Sequence, residues 1–385
     1  MGRRLGDEGE VREGRAGRLL RACRPGRLVC EAAARGLIFF LLSALALAQP
    51  PLASRLDAAV APLFQANQPG GVVIVTQGGE VVYRKAFGMA DLARDIPVRP
   101  EMPFRIGSVT KQFTAVAVMM LADEGKLALD DDVAKLLPDF PKGRGITVEN
   151  LLTHSSGLRG YNERPQDAAS MAADMGRGEV LEAIAEEMPR FAPGEGVAYS
   201  NSNYYLLGLV IEKASGTPYA DFLAQRVFDP LGMRSTAYEG RERDGTKRVE
   251  GYVRGRGKPF EKALPISATQ SFAAGALIST VDDLARWDAA ITAGKLLKPE
   301  TWHRVFTPYR LRNGPSTPNC IGWFLDRNTL GRDVYFHAGG INGFATMVYR
   351  VPKDDLFVAV LVNNAGDSVS ALRVGQALLS AALGQ

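Results

Sequence analysis

A chain of 385 residues with 46% hydrophobic content can bury a full core and is long enough for one large domain or two subdomains. Its formal charge of +4 is concentrated at the front. Residues 1 to 48 hold nine arginines and five acids, which leaves 37 basic and 37 acidic residues in the remainder, a balance that calls for neither nucleic acid nor an anionic membrane as partner.

Those 48 residues read as an export signal: arginines, then the apolar run GLIFFLLSALALA from Gly36 to Ala48, with small Ala46 and Ala48 ahead of a cleavage point at Gln49. The run falls short of the roughly 20 apolar residues of a spanning helix, so a periplasmic or secreted protein without a stable membrane span is expected. Cys23 and Cys30 lie in this segment, leaving Cys320 alone in the mature chain as a buried small hydrophobe. With only His154, His303 and His337 and no paired Cys/His spacing, neither a zinc site nor a cofactor is expected.

Further along, Leu52 to Asn67 has the apolar spacing of a helix packed on a core. GGVVIVTQGGEVVYRKAFG follows, two β-rich runs turning at Gly78-Gly79. From Ser108 to about Pro230 most segments carry helical spacing and end in Gly, Pro or Ser. After Gly275 come two helices, STVDDLARWDAAITAG and KPETWHRVFTP, then strands CIGWFLDR, DVYFHAG, FATMVYRVP and LFVAVLVNN, and a closing helix near Ser368 to Leu383. This order predicts an α/β (α+β) fold in residues 49 to 385. Its sheet part takes in about 52–107 and 270–385, its helical part about 108–269, and ligands are expected in the crevice between them.

Three short stretches could carry chemistry. FRIGSVTKQFTA places Ser108 where a helix begins and Lys111 three residues on, on the same face. A serine hydroxyl needs a base, and a lysine serves as one only when burial or neighbouring cations lower its pKa. The apolar flank FTAVAVMM makes that burial plausible, although Ser-x-x-Lys alone also suits a helix N-cap followed by a solvated lysine. PGEGVAYSNSNYYLLG puts Tyr199 and Asn201 after a Gly-rich turn, before a helix. DVYFHAGGINGF ends a strand at His337, Ala338, Gly339 and Gly340, small residues that let a substrate backbone approach.

In this order the three resemble the active-site set of the serine β-lactamase and penicillin-recognising family: Ser-x-x-Lys, Tyr-x-Asn, and Lys/His-x-Gly. ITVENLLTHSSGL, FAPGEGVAYSNSNY, GALISTVDDLARW and FHAGGINGF are similar to segments of its class C-like branch, which includes cephalosporinases, D-amino-acid peptidases and carboxylesterases. The resemblance implies an antiparallel sheet flanked by N- and C-terminal helices with a mostly helical insertion. It also implies an acyl-enzyme at Ser108, with Lys111 and Tyr199 sharing proton transfer, Asn201 and His337 shaping the site, and the oxyanion held near Gly339 and Gly340 by backbone N–H groups of Ser108 and Gly340. Substrates would be a small-molecule ester, a β-lactam or a peptide. His337 stands where β-lactamases usually carry lysine, which favours esterase or peptidase relatives. His154 reads as a backbone-satisfied histidine at a helix end, and Arg159, Tyr161 and Asn162 as contacts on the cleft rim.

Overall fold

The computed structural model describes residues 50–164, 167–242, 248–312, 314–327, 331–366 and 370–384; the expected export signal, with Cys23 and Cys30, lies outside them. Helix α1 (Leu52–Val60) is followed by the hairpin of β1 (Gly71–Gln77) and β2 (Glu80–Phe87). Gly78 and Gly79 both take left-handed φ angles, 60° and 79°, which a two-residue hairpin turn requires. The helix expected to reach Asn67 stops at Val60, because Pro62 has no N–H to donate back to the Ala58 carbonyl in the preceding turn.

The middle of the chain supplies α2 (Thr110–Asp123), α3 (Val148–Leu152), α4 (Asn201–Ser215) and α5 (Ala268–Gly275), with a further helix at Arg177–Glu186 and short helical turns between them. Within the region of helical spacing, the stretch 219–232 is broken into Tyr219–Leu223, a π turn at Ala224–Phe228 and Asp229–Leu231, since Pro230 removes one helical donor. Then come α6 (Val281–Thr292), β3 (Phe324–Asp326), β4 (Val334–Ile341), β5 (Phe344–Val351), β6 (Leu356–Val362) and α7 (Ala371–Leu383).

The six strands pair antiparallel in the order β3-β4-β5-β6-β1-β2, so strands from both ends of the chain meet where β6 joins β1. Alternation sorts their side chains onto two faces. Val73, Val75, Val358 and Val360 join Leu56, Val60, Leu378 and Leu379 of α1 and α7 in one core. Val72, Ile74, Ala359 and Leu361 join the larger core of α2, α4 and α6. Every residue of β6 is buried, as expected for a central strand covered on both faces.

Two smaller features fix the site. Phe104–Arg105 pairs with Leu277–Ser279, which also pairs with Ala237–Tyr238, so the start of α2 and the end of α5 are tied together. Strand β3 pairs only with residues 334 to 336 of β4, so the stretch from His337 to Ile341 runs on past the end of its outer neighbour. Among the described residues no helix is long and apolar enough to cross a membrane.

Candidate active site

Ser108 sits in a single 3-10 turn, Gly107–Val109, that leads directly into α2. Its N–H therefore belongs to a helical first turn, whose amides have no intrahelical acceptor. Gly107 holds φ at 50°, and a Cβ there would lie 2.9 Å from both the nitrogen and the oxygen of Gly340. Strand β4 and the serine turn thus approach backbone to backbone, which a side chain at Gly107 would prevent.

Lys111 is fully buried in the first turn of α2. Its Nζ lies 3.1 Å from Ser108 Oγ, 2.8 Å from Asn201 Oδ1 and 2.7 Å from the Ala274 carbonyl oxygen. Burial pushes its pKa well below the ordinary lysine range. A neutral amine has two N–H donors and one lone pair. The carbonyl and amide oxygens can only accept, so the two donors go to them and the lone pair is left for the Ser108 hydroxyl. Asn201 is fixed in turn by an Nδ2–H donated to Asn162 Oδ1 at 3.1 Å.

Tyr199 keeps 41% of its surface exposed, while burial raises the phenol above its ordinary pKa against a hydrogen bond with Ser108. The phenol is therefore neutral near pH 7, and Lys111 is the group whose basic form burial favours. The Lys111 ammonium position lies 4.8 Å from the Tyr199 ring centre. His154 seats that ring from behind: the two ring centres are 4.5 Å apart, its carbonyl accepts from the Ala198 N–H at 2.9 Å, and its Nδ1 accepts from the Ser200 N–H at 3.2 Å. These bonds grip the backbone on both sides of Tyr199, a role that the sequence reading of His154 missed.

His337 is buried beside Tyr199, with ring centres 6.3 Å apart. Its Nδ1–H donates to the Ala338 carbonyl at 2.7 Å, and burial, reinforced by the Lys111 charge, lowers its pKa to about 3. Gly340 lines the cleft, whereas Gly339 is buried against the Ile106 carbonyl, where a Cβ would sit 2.1 Å from the oxygen. Ser108, Asn201 and Gly340 thus line one cleft of about 240 Å³, with Lys111 bonded to the first two and the Tyr199 and His337 rings packed beside it.

Tyr161 and Asn162 also line this cleft, and the Tyr161 hydroxyl donates to the Gln270 carbonyl. Arg159 does not; it donates to the Met188 carbonyl and faces Glu163. Sequence reasoning did not single out Met171, Ile266, Gln270, Ser271 and Asn342 in the lining, nor the Ala274 carbonyl that holds Lys111. A backbone acceptor leaves no mark in residue identity. Phe272, between Ser271 and Ala274, takes the disallowed pair φ 35°, ψ −132° and packs its ring 5.1 Å from those of Tyr205 and Tyr219, a local strain of the kind found at functional sites.

An antiparallel sheet from both chain ends, joined to a helical region with the cleft at their seam, defines the β-lactamase/transpeptidase class of hydrolase folds. The chain belongs to the β-lactamase family, whose sequence profile matches residues 52–383. It is 30% identical to penicillin-binding protein 4* of Bacillus subtilis over 83% of this chain and 73% of that one. It is also 30% identical to a D-aminopeptidase of Gluconobacter oxydans, over 86% of this chain and 62% of the relative. A D-stereospecific amidohydrolase from Streptomyces superposes with a TM-score of 0.70 at 27% identity, over 86% of this chain and 97% of that structure.

Proposed function

We propose that the protein is an exported serine hydrolase that forms an acyl-enzyme on Ser108 and hydrolyses esters or D-amino-acid-containing peptides. The observation that carries this reading is the Ser108 hydroxyl 3.1 Å from a fully buried lysine amine whose pKa is lowered. Lys111 takes the proton as Ser108 Oγ attacks the carbonyl carbon. The N–H groups of Ser108 and Gly340 hold the oxyanion, each donor worth about 10²- to 10³-fold in rate. Lys111 and Tyr199 return the proton to the leaving oxygen or nitrogen, and the same pair then activates the water that frees the acid. The names of the relatives, a D-aminopeptidase and a D-stereospecific amidohydrolase, support a peptide or amide substrate.

β-Lactam hydrolysis ranks below this reading. With a pKa of about 3, His337 is uncharged at neutral pH and supplies no cation for a substrate carboxylate. A penicillin- or peptidoglycan-binding module without turnover would have no use for a buried proton-transfer pair. Export through residues 1 to 48 belongs to the same reading, and N-terminal sequencing of the secreted protein should place its start near Gln49.

Hydrolysis of p-nitrophenyl acetate by the wild type and by Ser108→Ala tests the assignment. The variant should lose at least about 10³-fold in kcat/KM. Equal turnover would remove Ser108 from the mechanism.

A further inference from the structure

Beyond the catalytic cleft, past the end of β4, lies a second depression of about 570 Å³. The two share Met171, Gly340, Ile341 and Asn342 as lining, so they form one continuous trough. Its two halves differ in chemistry. The half around Ser108 presents Tyr161, Asn162, Asn201 and Gln270; the far half is walled by Met171, Val253, Leu264, Ile341 and Phe344. Asn342 marks the border, its Nδ2–H donating to the Leu264 carbonyl at 3.1 Å and lying 3.8 Å from Met171 Sδ. Leu264 is 50% exposed at the edge of the trough. No described residue lining either half is charged, so the trough offers no counter-ion to a free carboxylate or a free ammonium.

The direction of the reaction decides which part of a substrate enters the far half. The tetrahedral carbon carries Ser108 Oγ, the oxyanion, the leaving atom and the acyl chain. The leaving atom must face its proton donor, Tyr199, which stands beside His337 at the start of the exposed stretch of β4. The oxyanion points to the N–H groups of Ser108 and Gly340. The direction left for the acyl chain runs onward along β4, from Gly340 toward Ile341 and Phe344.

We infer that this apolar depression is the acyl-chain subsite, and that the preferred substrates are uncharged esters or amides of apolar acids, with chains longer than acetyl. The inference rests on the acyl-enzyme reading above. On acylation the chain's carbonyl carbon bonds to Ser108 Oγ, the bond to the alcohol or amine breaks, and that group departs with a proton from the Lys111 and Tyr199 pair; the apolar tail stays along Ile341, Leu264 and Phe344 until water releases it.

The test compares kcat/KM for p-nitrophenyl acetate, butyrate and octanoate in the wild type, in Leu264→Asp and in Val81→Asp, an apolar residue of similar exposure on β2. Each methylene buried should raise kcat/KM about fourfold, so the octanoate-to-acetate ratio should be large in the wild type and in Val81→Asp and should collapse in Leu264→Asp. A flat ratio in the wild type, or one unchanged by Leu264→Asp, overturns the subsite. Calorimetric binding of octanamide and acetamide to Ser108→Ala separates the two layers of the argument, because it needs no chemistry. Tighter binding of octanamide that Leu264→Asp abolishes upholds the subsite even if Ser108→Ala hydrolyses the esters as the wild type does, a result that sinks only the acyl-enzyme reading. Equal binding of the two amides overturns the subsite even where Ser108 proves essential.

Discussion

Replacing Gly339 by alanine tests whether β4 and the serine turn act as one rigid unit. A Cβ on Gly339 would lie 2.1 Å from the Ile106 carbonyl oxygen and 3.1 Å from its carbon, where ordinary contact starts at 3.4 Å. Neither atom is a flexible side-chain tip, so strand and turn must separate by about 1 Å. Ile106 is two residues from Ser108 and Gly339 adjoins Gly340, so that separation opens the space between the proposed nucleophile and its proposed oxyanion donor. A misplacement of about 1 Å costs about 10²-fold in rate, and forcing a methyl into a filled space costs about 1–3 kcal/mol, several degrees in Tm at roughly 2–4 °C per kcal/mol. Gly340→Ala is the internal comparison. A Cβ there meets nothing within 4 Å, and φ is not positive, so this variant should melt with the wild type and should raise KM through a methyl standing in the cleft. Thermal melts and p-nitrophenyl ester kinetics on both variants give the answer. If Gly339→Ala keeps the wild-type kcat and Tm, the Ile106 contact does not set the spacing of the site.

Two other perturbations follow from the buried groups. Lys111 titrates well below its ordinary value in the fold and near that value when unfolded, so between the two the unfolded chain binds more protons and stability rises with pH; Lys111→Met should abolish that slope in urea titrations across pH. The same ionisation predicts that kcat/KM climbs with pH through the lowered lysine pKa, and a profile falling over that range would assign the base elsewhere. At Phe272, where φ is 35° and ψ −132°, glycine should be tolerated better than alanine by about 1 kcal/mol or more, the reverse of their usual order; urea unfolding of the two variants decides it. Both should be less stable than the wild type, because the ring that packs on Tyr205 and Tyr219 is lost.

What could be read from residues alone was whatever repeats along the chain. The β-rich runs of β1, β4, β5 and β6 and the helical spacing of α2, α4 and α6 are local patterns, and those elements stand where the patterns put them. The pairing of strands from both ends was legible for the same reason, since a sheet needs those apolar faces covered. Contacts made by the backbone were not legible. The Ala274 carbonyl on Lys111, the Ile106 carbonyl against Gly339 and the His154 grip on residues 198 to 200 all depend on segments far apart in sequence and on atoms common to every residue. The short sheet joining Phe104–Arg105, Leu277–Ser279 and Ala237–Tyr238 escaped as well, because pieces of two or three residues are too short to show a period. The resemblance of three motifs to a known family could nominate Ser108, Lys111 and Tyr199, but not the far half of the trough, whose walls come from Met171, Leu264 and Phe344 on three separate segments.

The electrostatics of the site follow from one physical cause. Lys111, His154 and His337 are all buried, and burial lowers the pKa of each. Burial thus favours the uncharged form of all three potential cations around one serine. The two histidines feel the Lys111 charge as a further lowering, so protonating any one of the three makes the others harder to protonate. In the proposed mechanism, positive charge enters this pocket only when Lys111 accepts the Ser108 proton, at the moment the carbonyl oxygen becomes negative. The attraction between the two is then absent in the ground state and present in the transition state, which is the condition for an interaction to raise kcat rather than only tighten binding. A permanently charged group at position 337 would break that timing by holding a substrate carboxylate before the reaction begins. The neutral histidine there fits a site built for uncharged acyl groups.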